Sequence, residues 1–125
     1  MRHASTQPTD VELTILNVLW DRGPSTVRQV HEVLAARKDV AYTTVLKMLQ
    51  TMFDKELVVR DDTERSHVYA AALERTQAQR GLLRDLLDRA FGGSARELVM
   101  LALQAGKLKP AEKAEIQRLL DGRKP

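Results

Sequence analysis

Residues 41–53 read Ala41-Tyr42-Thr43-Thr44-Val45-Leu46-Lys47-Met48-Leu49-Gln50-Thr51-Met52-Phe53. Apolar side chains recur in this stretch at the three- and four-residue spacing of a helix that buries one face. The spacing predicts a helix that opens at Tyr42 or Thr43 and runs to about Glu56. Its buried stripe would consist of Val45, Met48, Leu49, Met52 and Phe53. The opposite face carries groups that can form hydrogen bonds, namely Thr43, Thr44, Lys47, Gln50, Thr51 and Asp54.

A first helix is predicted well before this stretch. Thr9 and Glu12 have the spacing of a capping box, in which a hydroxyl residue caps the helix and an acid three residues later caps it in return. The following run is mostly apolar and includes Val11, so we expect a mostly buried helix to about Arg22. Gly23-Pro24 then ends it.

A second helix is predicted immediately afterwards. Thr26 and Gln29 repeat the capping pattern, and apolar residues follow at helical spacing. We expect this helix to end near Arg37-Lys38, because positive charge suits a helix C terminus.

A β-hairpin is predicted directly after the third helix. Residues 57–60 and 67–70 are β-prone, and residues 61–66 between them form a polar turn. Three helices and a hairpin within residues 10–73 are the layout of a winged helix-turn-helix domain, whose third helix is placed for the major groove of DNA. Residues 1–9 are predicted to be a disordered tail.

Residues 74–122 are predicted to form a helical dimerisation domain. The run from residue 98 to residue 103 has no polar face, so a helix there must be covered on every side. A second copy of the chain, related by two-fold symmetry, is the simplest cover. We therefore expect a mainly α chain, with a winged helix-turn-helix (three helices plus a β-hairpin wing) followed by a C-terminal three-helix dimerisation arm. The residues expected at the homodimer interface are Leu83, Leu86, Leu87, Leu98, Val99, Leu101, Ala102, Leu103, Ile116, Leu119 and Leu120.

The polar face of the third helix is the main candidate for contact with double-stranded DNA. Hydroxyl groups at its start, followed one turn later by an amine, place donors and acceptors where such a helix meets base edges and phosphates. The start of the second helix and the hairpin add cations that could hold phosphates. The candidate DNA-binding residues are Arg28, Tyr42, Thr43, Thr44, Lys47, Gln50, Arg65 and His67.

Some features of the sequence support a different function. Threonines at a helix start also serve as simple caps. Asp61, Asp62 and Glu64 in the hairpin would repel a DNA backbone unless they point away. Residues 1–75 carry ten Lys and Arg against eleven Asp and Glu, although the net charge of the whole chain is +3. The alternative is therefore a winged-helix protein-interaction module without specific DNA binding.

The composition argues against several classes of protein. The chain has no Cys, which excludes disulfides, thiolate metal sites and Cys nucleophiles. Its histidines have no second ligand at metal-binding spacing, and no nucleophile or phosphate-loop motif occurs. We therefore expect no metal, no cofactor and no enzymatic activity. The N terminus lacks a leader and no apolar run is long enough for a bilayer, so we expect a cytoplasmic protein without membrane insertion.

Several stretches resemble the penicillinase repressor (BlaI/MecI) family, within which the copper-responsive CopY-type repressors also fall. They are residues 16–20 (Leu-Asn-Val-Leu-Trp), 26–30 (Thr-Val-Arg-Gln-Val), 41–50 and 65–69 (Arg-Ser-His-Val-Tyr). The resemblance covers about residues 10–121 and implies a homodimeric repressor that binds a dyad operator. It places Tyr42, Thr43, Thr44 and Lys47 in the DNA-reading stretch, and Arg65 and His67 in the wing.

The chain departs from the family pattern at several positions. Many members have an Arg where Thr51 stands and a Gly where Glu56 stands. CopY-type members sense copper through a cysteine cluster, which this chain lacks. Some members are cut in the dimerisation helix, which makes a membrane sensor protease a candidate partner. The equivalent position here is Leu101-Ala102, without the Asn-Phe pair found in some of those members.

Overall fold

A computed structural model describes residues 7–122 of the chain. Its elements are α1 (Asp10–Arg22), β1 (Ser25–Thr26), α2 (Val27–Ala35), α3 (Tyr42–Asp54), β2 (Val58–Asp61), β3 (Val68–Ala71), α4 (Arg75–Ala90), α5 (Ala95–Gln104) and α6 (Pro110–Leu120). The predicted mainly α chain is confirmed, with a winged helix-turn-helix followed by three helices. The tail predicted for residues 1–9 falls for the most part on residues 1–6, outside the described residues.

The capping boxes predicted at the starts of α1 and α2 are present, whereas at the third predicted box, Ser94 and Glu97, the Ser94 contact is the one found. The Thr9 hydroxyl accepts a hydrogen bond from the backbone N–H of Glu12 (3.2 Å), and the Glu12 carboxylate accepts one from the Thr9 N–H (2.9 Å). Thr26 and Gln29 make the same pair of contacts, also at 3.2 and 2.9 Å. These bonds satisfy N–H groups that the first turn of a helix leaves without partners, so α1 and α2 begin where the sequence predicts.

The predicted ends of two elements differ from the structure. Helix α2 ends at Ala35 rather than near Arg37-Lys38, and the N–H groups of both basic residues share the Leu34 carbonyl at 3.0 Å in the turn that follows. The strands of the hairpin lie at 58–61 and 68–71, one residue later than predicted. Since both strands move together, the connection still has six residues, and the wing is confirmed.

Helix α3 ends at Asp54, two residues before the predicted end, and Glu56 makes the turn into β2. Glu56 has φ 66°, and it alone among the described non-glycine residues has a positive φ. The turn is closed by hydrogen bonds from Glu56 N–H to the Phe53 carbonyl (3.0 Å) and from Leu57 N–H to the Met52 carbonyl (2.9 Å). The turn therefore forms without the family's glycine, at the cost of a left-handed backbone for a residue with a Cβ.

Glu56→Gly is expected to raise the free energy of unfolding by up to about 1 kcal/mol. The left-handed backbone costs an L-residue roughly 1–2 kcal/mol, and the greater freedom of unfolded glycine cancels about 0.5–1 kcal/mol of the gain. Urea unfolding measures the change. The control is Asp54→Gly, at an exposed helical position, which should lower the free energy of unfolding by about 0.3 kcal/mol. If both substitutions lowered the free energy of unfolding, the proposed strain at Glu56 would be contradicted.

The sheet has three strands in the order β1-β3-β2, all antiparallel. Strand β3 pairs with β2 through Val58↔Ala71 and Asp61↔Val68, and with β1 through Ser25↔Tyr69. Strand β1 joins the start of α2 to the wing and was not predicted from the sequence. This pairing places the N terminus of α2 beside the hairpin.

One core holds the helices and the sheet together. Tyr69 is 1% exposed and Trp20 is half-buried against the core, so the prediction that both are core residues is confirmed. Val11 was expected inside α1 but is 50% exposed, because it lies on the side of the first turn that faces solvent beside α3. The buried members of the core are Ile15, Leu16, Val18, Leu19, Val27, Val30, Val45, Leu49, Met52, Leu57, Val58 and Tyr69.

The end of α1 is fastened to the start of α4. The indole N–H of Trp20 donates to the Leu73 carbonyl at 3.0 Å. The Arg75 guanidinium lies 5.4 Å from the centre of the Trp20 ring and forms an ion pair with Asp21. One turn further along α4, Ala78 is 3% exposed. The first turns of α4 therefore belong to the same compact unit as the winged helix-turn-helix, which we call the winged unit.

The described chain divides into two compact units, residues 7–82 and 83–122. In the second unit, neither α5 nor α6 contains a buried residue. Ser94 caps α5 by accepting from the Glu97 N–H at 3.1 Å, and Pro110 opens α6. Among the described residues, no helix has the length and apolar character needed to cross a bilayer.

Candidate nucleic-acid interface

Helix α3 presents the predicted polar face to solvent. Val45, Leu49 and Met52 are fully buried on its inner side. The side chains on the outer side are all exposed, namely Tyr42, Thr43, Thr44, Lys47, Gln50, Thr51 and Asp54. Asp54 lies in the last turn, where its negative charge opposes a polyanion. The surface suited to DNA is therefore confined to the first three turns of α3.

The start of α3 is held by contacts from α2. The Nε2 N–H of His31 donates to the Val40 carbonyl at 2.8 Å. The same imidazole meets the Tyr42 ring edge-on, with 5.9 Å between ring centres and 78° between planes. Such an edge-to-face pair is a favoured aromatic geometry. His31 therefore fixes both the turn between α2 and α3 and the first residue of α3.

The end of α3 is held by an ion pair with α1. The Lys55 ammonium lies 2.8 Å from both carboxylate oxygens of Glu12, whose side chain is 8% exposed. Burial tends to raise the pKa of Glu12, but hydrogen bonds from Lys55 and from the Thr9 N–H outweigh it and hold the pKa below its ordinary value. The carboxylate is thus charged at neutral pH, and the pair restrains α3 against α1.

A groove of about 600 Å³ lies between the N terminus of α2, helix α3 and the wing. It brings together side chains that are far apart in sequence because β1 pairs with β3. Five of the predicted DNA-binding residues line it, namely Arg28, Tyr42, Gln50, Arg65 and His67. We call this feature the wing groove.

The other predicted DNA-binding residues lie outside the wing groove. Lys47 lines a smaller depression of about 200 Å³ on the α1 side of α3, together with Thr51 and Val11. Thr43 and Thr44 line neither of these two depressions but are exposed in the first turn of α3. The predicted residues of α3 therefore share its exposed outer side, and the wing groove, with Arg28, Arg65 and His67, borders that side.

Two of the three acids in the hairpin are engaged locally. The Asp61 carboxylate accepts hydrogen bonds from the N–H and hydroxyl of Thr63, at 3.0 and 2.8 Å. The backbone hydrogen bond from Thr63, followed by that from its hydroxyl, lowers the pKa of Asp61. Asp62 lies 3.6 Å from the Arg60 guanidinium. None of the hairpin acids lines the wing groove.

Arg60 is a groove residue that the sequence analysis missed. It lines the wing groove from β2, and its guanidinium carbon lies 4.2 Å from the centre of the Phe53 ring. Alternation along the strand could have revealed it, because residues two apart share a face of a sheet. Arg60 is two residues after the buried Val58 and so lies on the inner face, half-buried. No group of three or more His, Cys, Asp or Glu that could hold a metal ion occurs within residues 7–122.

Comparison with known proteins shows which family this chain resembles. The family model described as "Penicillinase repressor" matches residues 8–122. A transcriptional regulator BlaI of Mycobacterium tuberculosis is 41% identical over 93 residues, which are 74% of this chain and 67% of the relative. A penicillinase repressor of Staphylococcus aureus is 18% identical over 110 residues, covering 88% of this chain and 87% of the relative.

Solved structures give weaker likenesses. An ArsR family transcriptional regulator superposes with a TM-score of 0.47 at 20% identity, over 64% of this chain and 82% of its own. Lactococcus lactis ZitR, as the E41A mutant, also reaches 0.47, at 16% identity over 98% of this chain and 77% of its own. These scores are too low to support an assignment, which rests on the sequence matches instead. By those matches the chain belongs to the penicillinase repressor family, as a DNA-binding transcriptional repressor and not an enzyme.

Proposed function

We propose that the chain represses transcription in the cytoplasm as a homodimer that binds a dyad operator in double-stranded DNA. The observation that carries the dimer is the exposed apolar surface of the second unit. Leu101, Leu119 and Leu120 are 55%, 73% and 72% exposed. A second copy of the chain would remove this surface from water, which is the main driving force for association.

The predicted interface residues fit this role. Leu87, Leu98 and Ile116 are half-buried within one chain, and the others are exposed, namely Leu83, Leu86, Val99, Leu101, Ala102, Leu103, Leu119 and Leu120. Met100 is 43% exposed and joins the same surface, although the sequence analysis did not assign it to the interface. Exposed apolar residues at this density are typical of a contact surface rather than of a monomer.

In the winged unit, the outer surface of α3 would enter the major groove of one half-site. Thr43, Thr44, Lys47 and Gln50 are the side chains that we assign to base edges, because they are exposed and can form hydrogen bonds there. Tyr42, Arg28, Arg65 and His67, which line the wing groove, are assigned to the DNA backbone. Each chain of the dimer would supply one such set, which matches a dyad.

Selection from random duplexes followed by a binding titration tests the proposal. The selected sequence should contain two inverted half-sites whose centres are about one helical turn, or a small multiple of it, apart. One dimer should bind each duplex, and log affinity should fall linearly with log salt concentration. A protein-interaction module would select no sequence, and equal affinity for the selected and scrambled duplexes would reject the proposal.

A membrane sensor protease that cuts at Leu101-Ala102 stays a prediction of the family resemblance. Both residues are exposed in α5 of one chain. Incubating the dimer with membranes of the source cell, before and after induction, and mapping the cut by mass spectrometry would test it.

A further inference from the structure

Cations from three elements converge on the wing groove. Arg28 comes from the first turn of α2, Arg60 from β2 and Arg65 from the hairpin loop, and no Asp or Glu is among the lining residues. The winged unit as a whole is nearly neutral, with acids interspersed among its bases. The lining of the groove, with three guanidinium groups and no carboxylate, is therefore locally positive, although Asp62 lies near Arg60 outside the lining and the unit as a whole is nearly neutral.

Arg60 is held in a fixed position within this cluster. Its guanidinium stacks on Phe53 at 4.2 Å, and its side chain is 25% exposed. Stacking of a guanidinium on an aromatic ring is favourable and restricts the rotamers of a long side chain. Arg60 thus presents its charge to the groove in a defined orientation, unlike a free surface arginine.

The hydrogen bonds of Arg60 are incomplete. A guanidinium has five N–H donors. Arg60 Nε is buried. Among the buried side-chain nitrogen and oxygen atoms of the described residues, it is the one without a hydrogen-bond partner. The nearest carboxylate, of Asp62, is 3.6 Å away and 54% exposed, so this ion pair contributes little. A buried polar group left in this state is costly and calls for an explanation.

The N terminus of α2 adds to the positive potential of the groove. Thr26, Val27 and Arg28 line it, and α2 has nine residues. The Thr26 hydroxyl already caps Gln29, but the N–H groups of the first turn before Gln29 have no partner within the helix. Such a terminus favours phosphate groups, and here it stands beside three arginines.

We propose that the wing groove is a phosphate-binding site and that Arg60, besides Arg28 and Arg65, is one of the cations that hold the phosphate. The volume of about 600 Å³ exceeds what one phosphate needs and admits the sugars attached to it. A backbone phosphate of the operator is one source of this group, and that part rests on the proposed function. A free phosphoanion such as pyrophosphate has the same chemistry and would compete for the groove.

Arg60→Gln tests the proposal through the salt dependence of binding to the selected duplex. Loss of one phosphate contact should reduce the slope of log affinity against log salt by about 0.9 per chain. Affinity for operator and scrambled duplex should fall by a similar factor, about tenfold, because a phosphate carries no sequence information. Arg60→Lys keeps the charge and should restore the slope. Arg22→Gln, an exposed position outside the groove, removes the same charge and should leave the slope unchanged.

A second experiment uses pyrophosphate and does not need the operator sequence. Pyrophosphate should raise the melting temperature of the wild-type protein and of Arg22→Gln, but not that of Arg60→Gln. This experiment stands even if the protein selects no duplex sequence, so failure of the proposed function would be visible separately. Specific operator binding with the wild-type slope in a folded Arg60→Gln, together with no effect of pyrophosphate on any variant, would overturn the phosphate site.

Folding of the variants is checked by circular dichroism, since Arg60 also packs on Phe53. If Arg60→Gln does not fold, neutral methylphosphonate linkages in the duplex replace it. Neutralising the linkage that faces the wing groove should reduce the slope for the wild-type protein by the same amount. A slope that no single neutral linkage changes would contradict the proposal.

Discussion

Leu101→Glu is expected to leave the chain monomeric at micromolar concentration and to lower operator affinity by at least about 100-fold. Leu101 is 55% exposed in α5 and belongs to the apolar surface assigned to the dimer. A carboxylate buried there would lose its hydration without gaining a partner. A monomer also loses the high effective concentration with which a tethered second half-site is bound, worth about 10²–10⁴ in affinity. Analytical ultracentrifugation and a duplex titration measure the two effects.

Gln104→Glu is the matched control for this substitution. It introduces the same charge in the same helix, at an exposed polar position, and should leave both the dimer and the affinity essentially unchanged. Isolated half-site duplexes separate the two causes, because a monomer with an intact winged unit should bind them as well as the wild type does. If the Leu101→Glu variant remained dimeric, α5 would not be part of the dimer interface.

Lys47→Ala is expected to weaken operator binding by about 1–3 kcal/mol, or roughly 5- to 150-fold. Lys47 is exposed between the first and last turns of α3, on the α1 side and outside the wing groove. If it reads a base, affinity for the operator should fall much more than affinity for a scrambled duplex. Titration of both duplexes at one salt concentration measures this ratio.

Lys113→Ala, at an exposed position of α6, removes the same charge far along the chain and should leave the ratio unchanged. Equal losses on the operator and the scrambled duplex, with a shallower salt dependence, would reassign Lys47 to a phosphate. Unchanged operator affinity would mean that Lys47 does not contact the DNA.

Local patterns predicted most of the fold. In the predicted apolar stripe of α3, Val45, Leu49 and Met52 are fully buried, and Met48 and Phe53 are partly buried against the same core. The capping boxes at Thr9 and Thr26 set the starts of α1 and α2. These features succeed because each depends on residues three or four positions apart, whose contacts form within a single helix.

Features that depend on contacts between residues far apart in the chain were not predicted from the sequence. Strand β1 has two residues, Ser25 and Thr26, and exists because they pair with β3 more than forty positions later. Strand alternation could place Arg60 on the inner face of the sheet, but its contacts with Phe53 and the wing groove require the folded sheet. Val11 is apolar, which predicts burial, but it lies half exposed in the shallow depression that it shares with Lys47 and Thr51.

In the wing, the effect of each charged side chain depends on where the fold places it. By sequence, Asp61 and Asp62 oppose DNA and argue against a role for the hairpin. In the structure Asp61 closes the turn through Thr63, and Asp62 lies beside Arg60. The arginines rather than the acids line the groove, which a sum of charges along the chain could not reveal.

Trp20 gives the molecule an intrinsic optical probe. It is the one tryptophan of the whole sequence, so indole fluorescence reports on a single place. That place is where the Leu73 carbonyl and the Arg75 guanidinium meet the ring. A change in emission wavelength on adding DNA would mean that the start of α4 has shifted against α1, and the kinetics of such a movement could be followed by stopped flow without attaching a dye.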